Sequence, residues 1–344
     1  MLPEPDQSPL DPEDILWFSY DWCSLPWTEW VPFNATKQVF NRILREPGLY
    51  RIRPVGKDYL VYIGETKRSL RERLQNLRIE LAKAEGMPWS DPHAEAPALW
   101  AYQVERRADH HEEMRRTAEH GPAPETGSAG KGTADEPSRT EEGLLPVDPC
   151  GFECSAAPLD ASASGRRGME SFLLYRYRQE YGASPLCSLG RFHPRYRRST
   201  TRKEGFRGGK LAEGQKDNPA GSPGLPPLCP KGAPGDRDWM GLSWSTPARL
   251  AEESLSSVPG SQGLYLLSDA VSGEILFIGS SGNCAGQLAE QSARGCEGKE
   301  IAFSYHAPGN PVLPHQLREL ETDLIGNFFE QYRKAPEKQF RNSR

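Results

Sequence analysis

The sequence predicts an α/β chain of the α+β kind, built from two related units, and three observations predict it. The stretch GLYRIRPVGKDYLVYIGETKRSLRERL at 48–74 reads as two short strands across a Gly-containing turn, followed by an amphipathic helix. The same layout returns at 263–289 as GLYLLSDAVSGEILFIGSSGNCAGQLA. Eleven residues separate Tyr50 from Tyr62 and eleven separate Tyr265 from Phe277, and both later aromatics continue as Ile-Gly. A chain of 344 residues has room for two such units and their connections.

Each element has a reason in the sequence. Residues 1–14 are acidic and Pro-containing and read as a disordered lead. The extension up to residue 33 then concentrates Trp17, Phe18, Tyr20, Trp22, Trp27, Trp30 and Phe33, which must pack on the back of the following domain. That domain, 34–182, opens with a helix at 35–48 carrying Val39, Phe40, Ile43 and Leu44 at helical spacing before Pro47-Gly48. Strands at 49–53 and 59–63 follow, then a helix at 69–86 with Leu70, Leu74, Leu77 and Leu81 on one face. LWAYQVE (99–105) reads as another strand, about 119–142 as a disordered insertion, and 168–182 as a helix.

Residues 183–238 form a basic, Gly/Pro-rich, mostly irregular linker, and the pattern restarts in 239–344. SWSTPARLAEESLSSVPGSQGLY (243–265) parallels 29–50: a Trp, a Pro, a helix, a Pro-Gly stop, then Gly-Leu-Tyr. Each unit later places a glutamate ahead of apolar residues on a helix, Glu170-Ser-Phe-Leu-Leu and Glu321-Thr-Asp-Leu-Ile.

A net charge of −5 argues against indiscriminate polyanion binding but leaves local basic surfaces open. No apolar run of about 18 residues reads as a membrane span, and the acidic start is unlike an export signal. The expected setting is cytoplasmic, with the seven scattered cysteines as reduced thiols. Cys150 and Cys154, even with Cys187 and His193, lack the second tight pair of a structural zinc site. His110-His111-Glu112 reads as solvated helix, and no G-x4-G-K-[ST] phosphate loop occurs.

The paired triplets, their interval, the arginine on the next helix and the later helical glutamate resemble the GIY-YIG nuclease family. The resemblance covers about 48–182 and, in eroded form, 263–340. It implies two small domains, each a three-stranded, largely antiparallel sheet with helices. It also implies a metal-dependent endonuclease acting on DNA phosphodiesters, with Tyr62 activating the attacking water and Tyr50 beside it. Free tyrosine, with a pKa of about 10, is a poor base, so Lys67 and Arg73 are expected to favour its phenolate. Arg73 would hold phosphate oxygens, and Glu170 would bind Mg²⁺ or another divalent cation such as Mn²⁺.

Two positions depart from the family pattern: Leu77 stands where a His or Tyr is common, and Ser188 stands in place of an asparagine. The second unit carries Phe277 for the tyrosine. Counting nine residues past its Gly279, as Arg73 lies past Gly64, gives Leu288 at the arginine position. That unit is expected to be inactive, structural or DNA-binding.

From Arg166 to Lys210 twelve Lys or Arg face only Glu170, Glu180 and Glu204, a local charge of +9. Arg191, Arg195, Tyr196, Arg197, Arg198, Arg202, Lys203 and Arg207 are the expected DNA contacts. The degenerate unit suits an intramolecular pseudo-dimer, or the chain a homo-oligomer. A non-catalytic DNA-binding module is the alternative, and RNA cleavage a weaker third.

Overall fold

The computed structural model describes residues 15–83, 86–89, 95–120, 148–201, 205–294 and 300–340. The lead at 1–14 and the 119–142 insertion beyond His120 lie outside the described residues. The chain is mixed α/β with antiparallel sheets. In the first half run β1 (Val31–Pro32), α1 (Lys37–Phe40), β2 (Gly48–Pro54), β3 (Tyr62–Thr66), α2 (Leu70–Ala82), α3 (Ala96–His120), β4 (Phe152–Pro158) and α4 (Ala163–Tyr181). A small hairpin, β5 (Tyr196–Arg197) and β6 (Gly209–Lys210), interrupts the connection. In the second half run β7 (Ala248–Arg249), α5 (Glu252–Leu255), β8 (Gly263–Asp269), β9 (Ile275–Ser281), α6 (Cys284–Arg294), β10 (Ile301–His306) and α7 (Pro314–Tyr332).

Both sheets are antiparallel and share one order, β1-β4-β2-β3 and β7-β10-β8-β9. Four strands stand where three were expected, because a two-residue edge strand joins each sheet. Sequence reading also misplaces the third strand. Residues 99–105 lie inside α3, where Ala96, Leu99 and Gln103 are buried at helical spacing, and β4 takes the central place. The helix expected at 35–48 shrinks to four residues. Beyond it, the carbonyls of Leu44 and Glu46 accept from the Arg71 and Leu70 amides, and the Ile43 carbonyl accepts Arg71 Nε at 2.7 Å. Those groups satisfy the start of α2 instead of extending α1. Ser69 caps α2 by accepting from the Glu72 amide at 3.2 Å, and its four leucines are buried as expected.

The N-terminal aromatics cover the back of the first sheet, as their number demanded. They enclose Arg51, whose guanidinium lies 4.3 Å from the Trp27 ring and donates to the Trp17 carbonyl at 2.6 Å. Burial, then Arg53 beside it, lowers the Arg51 pKa to about 9. The repeat begins earlier than the triplets suggest: DWCSLPW (21–27) returns as DWMGLSW (238–244). Cys23 and Met240 both adopt left-handed φ, 57° and 56°, and the Trp27 and Trp244 indoles donate to the Trp22 and Trp239 carbonyls. Thr28 and Ser245 then bond the third strand alike, at 2.9 Å to the carbonyls of Ala156 and Tyr305.

α4 and α7 pack on each other through Tyr175 against Gly326, where a Cβ would strike the Tyr175 side chain. These two positions correspond in the two halves, so an internal pseudo-dyad passes between them. On one side of it Phe329 fills the space over Gly168 and Phe172. On the other, the corresponding Arg178 meets Glu319 at 3.7 Å and Asp323 at 2.7 Å, all three fully buried.

Candidate active site

The antiparallel pairing of β2 with β3 sets Tyr50 opposite Gly64 and brings Tyr50 and Tyr62 into a stack, centroids 5.8 Å apart at 26°. Gly64 is required by that stack. A Cβ there would sit 2.5 Å from Tyr62 Cε1 and 2.8 Å from the Tyr50 hydroxyl. Tyr50 is buried and Tyr62 half-buried.

α2 delivers Arg73 to the same spot. Its Nε donates to the Tyr50 hydroxyl at 3.1 Å, and the hydroxyl donates onward to Glu95 Oε1, also 3.1 Å. Arg73 Nη2 pairs with that carboxylate, which closes a three-residue cluster. Burial opposes the Arg73 charge, but Tyr50 and Glu95 outweigh it and hold the guanidinium above its ordinary pKa. Sequence reasoning missed Glu95. It sits just ahead of α3, far from either triplet, and no spacing rule singles it out.

Glu170, on α4, lies within electrostatic reach of Tyr50, Tyr62 and Glu95. Burial first, then the negative charges of Glu65 and Glu95, raise its carboxyl to about 8, against the pull of Arg167 and the Glu65 backbone. Glu65 itself accepts from Arg166 Nε at 3.3 Å and lies 3.8 Å from Arg167. Among the described residues no group of three His, Cys, Asp or Glu converges as a metal cage. The donor chemistry still suits a hard divalent cation: one carboxylate, crowded by others, gains from a positive ion and leaves room for waters.

The phenolate expectation is corrected. Burial, with Glu95, Tyr50 and Glu170 adding to it, raises the Tyr62 pKa well above 10, while Arg73 opposes only weakly. Lys67 is exposed on the loop between β3 and α2, and among the described residues no hydrogen bond links it to either tyrosine. Leu77, at the departure from the family pattern, is a buried core residue. Ser188 accepts from the Ile63 amide at 3.4 Å, and Gln339 does the same for Ile278 at 2.8 Å.

The second half keeps the scaffold. Tyr265 and Phe277 stack at 5.9 Å and 30° across Gly279. Ser280 stands where the first half has Glu65, and its hydroxyl donates to Glu321 at 2.5 Å. The arginine position is Gln287, not Leu288. The loop before α6 is one residue shorter than that before α2, so buried Leu288 matches Leu74. Asn283 caps α6 by accepting from Gly286 N, as Ser69 caps α2.

The basic segment divides. Arg191 is buried and donates to the Ser184 carbonyl at 3.0 Å, and buried Tyr196 donates to Glu105 at 2.8 Å. Both are therefore structural and not surface contacts as expected. Arg195 and Arg197 are exposed. Arg198 lies over Phe192, and Arg207 donates to the Met87 carbonyl. Arg202 and Lys203 lie outside the described residues. Arg197, Arg198, Arg207, Lys210, Thr200 and Phe206 line an open basin of about 440 Å³. Cys150, Cys154 and Cys187 are free buried thiols, and His110, His111 and Glu112 lie on α3.

Compared with known protein families, curated proteins and solved structures, the chain matches none.

Proposed function

We propose that the first half is a GIY-YIG-type, metal-dependent endonuclease acting on DNA, and that the second half has lost the chemistry. The observation that carries this reading is the stack of Tyr50 on Tyr62 with Arg73 bonded to the Tyr50 hydroxyl, and with Glu170 on α4 near enough to act electrostatically on both tyrosines. In this reading neutral Tyr62 orients the attacking water through its hydroxyl. Arg73, fixed by Tyr50 and Glu95, offsets the charge that builds on the phosphoryl oxygens. Glu170 is the residue that would hold Mg²⁺ or Mn²⁺, which would supply further charge neutralisation at the phosphate. The basin with Arg197, Arg198 and Arg207 would contact the DNA backbone, with Arg195 beside it.

One observation favours the alternative, a non-catalytic DNA-binding module: the Arg73 charge is already met by Glu95. Plasmid DNA with Mg²⁺ separates the two readings. The nuclease predicts cleavage that Glu170→Ala and Arg73→Ala each abolish, and nicks in preference to double-strand breaks, since one half alone carries the set. DNA binding without any cleavage by the wild type would establish the module.

A further inference from the structure

On the back of the first sheet, Arg53 is sandwiched between Phe18 and Trp30, 4.2 Å from each ring centroid, and paired with Glu153 at 2.6 Å. Strand register and the shared turn bonds assign the matching residues of the second half as Ser268, Gly235, Pro247 and Ala302. All four are smaller than their counterparts. They border a recess of about 180 Å³, floored by buried Trp244 and Leu266. Because side chains alternate along β8, this recess lies on the face opposite Tyr265.

We propose that the recess is a binding site for an aromatic side chain presented by a partner polypeptide. Its volume suits one ring, since an apolar cavity of about 150 Å³ in another protein holds benzene. The corresponding space in the first half is occupied by aromatic rings that a polypeptide segment presents, so the surrounding architecture already accommodates that chemistry. Every Phe, Tyr and Trp of the sequence lies among the described residues, and of these only Trp244 lines the recess, so a partner polypeptide is taken as the source of the ring. The rim fits peptide better than nucleic acid. It holds exposed Arg237 and the opposite charge of Asp269, so it offers no net positive charge to a phosphate backbone. Val271, 87 % exposed on the adjoining turn, adds an apolar shoulder.

The recess lies on the face away from Tyr265, and a test of it needs no phosphodiester cleavage. The full chain is titrated with blocked Gly-Trp-Gly, Gly-Tyr-Gly and Gly-Ala-Gly and with adenosine, following the Trp244 indole and Leu266 methyl resonances. The aromatic peptides should shift both signals with a Kd on the order of 1 mM, the range for a single buried ring. Pro247→Trp, which restores the bulk of Trp30, and Ser268→Leu should each weaken binding by about tenfold or more. Melting curves confirm that both variants fold.

No shift with either aromatic peptide on the wild type overturns the proposal, whatever the variants do. An equal response to adenosine, or full retention of binding in both variants, overturns it as well. Self-association of the chain that Pro247→Trp dissolves would place a second copy in the recess and overturn the assignment to a partner.

Discussion

Glu95→Gln tests how the candidate site is held together. The Glu95 side chain is 5 % exposed and meets both the Arg73 guanidinium and the Tyr50 hydroxyl. The amide keeps an acceptor but loses the charge, which leaves Arg73, itself 18 % exposed, without its buried counter-ion. Breaking a buried pair costs about 3–5 kcal/mol. Residual water contact at Arg73 reduces the expected loss to about 2 kcal/mol, or a Tm lower by about 3 °C. If the first half is the proposed nuclease, cleavage should suffer more than folding does. An arginine no longer aimed at the phosphate forfeits much of a contribution worth about 10²–10³ in kcat, with KM for DNA little changed. Glu95→Asp, which retains the charge, should recover part of that loss. Plasmid cleavage under single-turnover conditions and thermal unfolding read both quantities. Wild-type cleavage by Glu95→Gln would refute the positioning role. Faster cleavage with tighter DNA binding would show instead that the carboxylate competes with phosphate for Arg73.

Two further outcomes follow from buried charge. Arg178→Met leaves Asp323 and Glu319 unpaired between α4 and α7 and should cost about 4 kcal/mol in urea unfolding, and a loss below about 1 kcal/mol would contradict the ion network. For Glu170, the folded carboxyl keeps its proton up to pH of about 8 while the unfolded chain releases it near 4.5, so stability drains as pH rises through that window. At about 1.4 kcal/mol per unit the ceiling is roughly 5 kcal/mol. With partial screening Glu170→Gln should exceed wild type by about 2 kcal/mol at pH 8 and match it at pH 4, and equal stability at pH 8 would refute the shift.

The strand pair β2–β3, helix α2 and the second appearance of both were legible because each rests on local signals: alternation, a Ser cap, four leucines at helical spacing and a Gly-containing turn. The third strand was not. Residues 99–105 carry mixed apolar and polar side chains that suit either period over seven positions. Only their packing against α2 decides for a helix, and the strand that pairs with β2 lies about a hundred residues beyond it in sequence. The site shows the same division. Tyr50, Tyr62 and Arg73 were singled out by a family resemblance whose motifs lie on one continuous stretch, whereas Glu95 reaches them only through the tertiary path of the chain. A position counted along the sequence fails wherever a loop changes length, as the one-residue difference before α6 turned Gln287 into Leu288.

The pseudo-dyad explains why the halves could diverge without separating. A symmetric α4–α7 contact must solve the same packing problem twice with the same residues. Here the two solutions differ: Phe329 covers Gly168 and Phe172 on one side, while Arg178 bridges Glu319 and Asp323 on the other. The apolar side contributes burial. The ionic side adds little net stability over an apolar replacement, but it penalises wrong pairings severely, because any exchange of halves would leave a buried charge opposite an aromatic ring. An interface of that kind disfavours association of α4 with a second α4, or α7 with a second α7, and so favours the pairing of unlike halves within one chain.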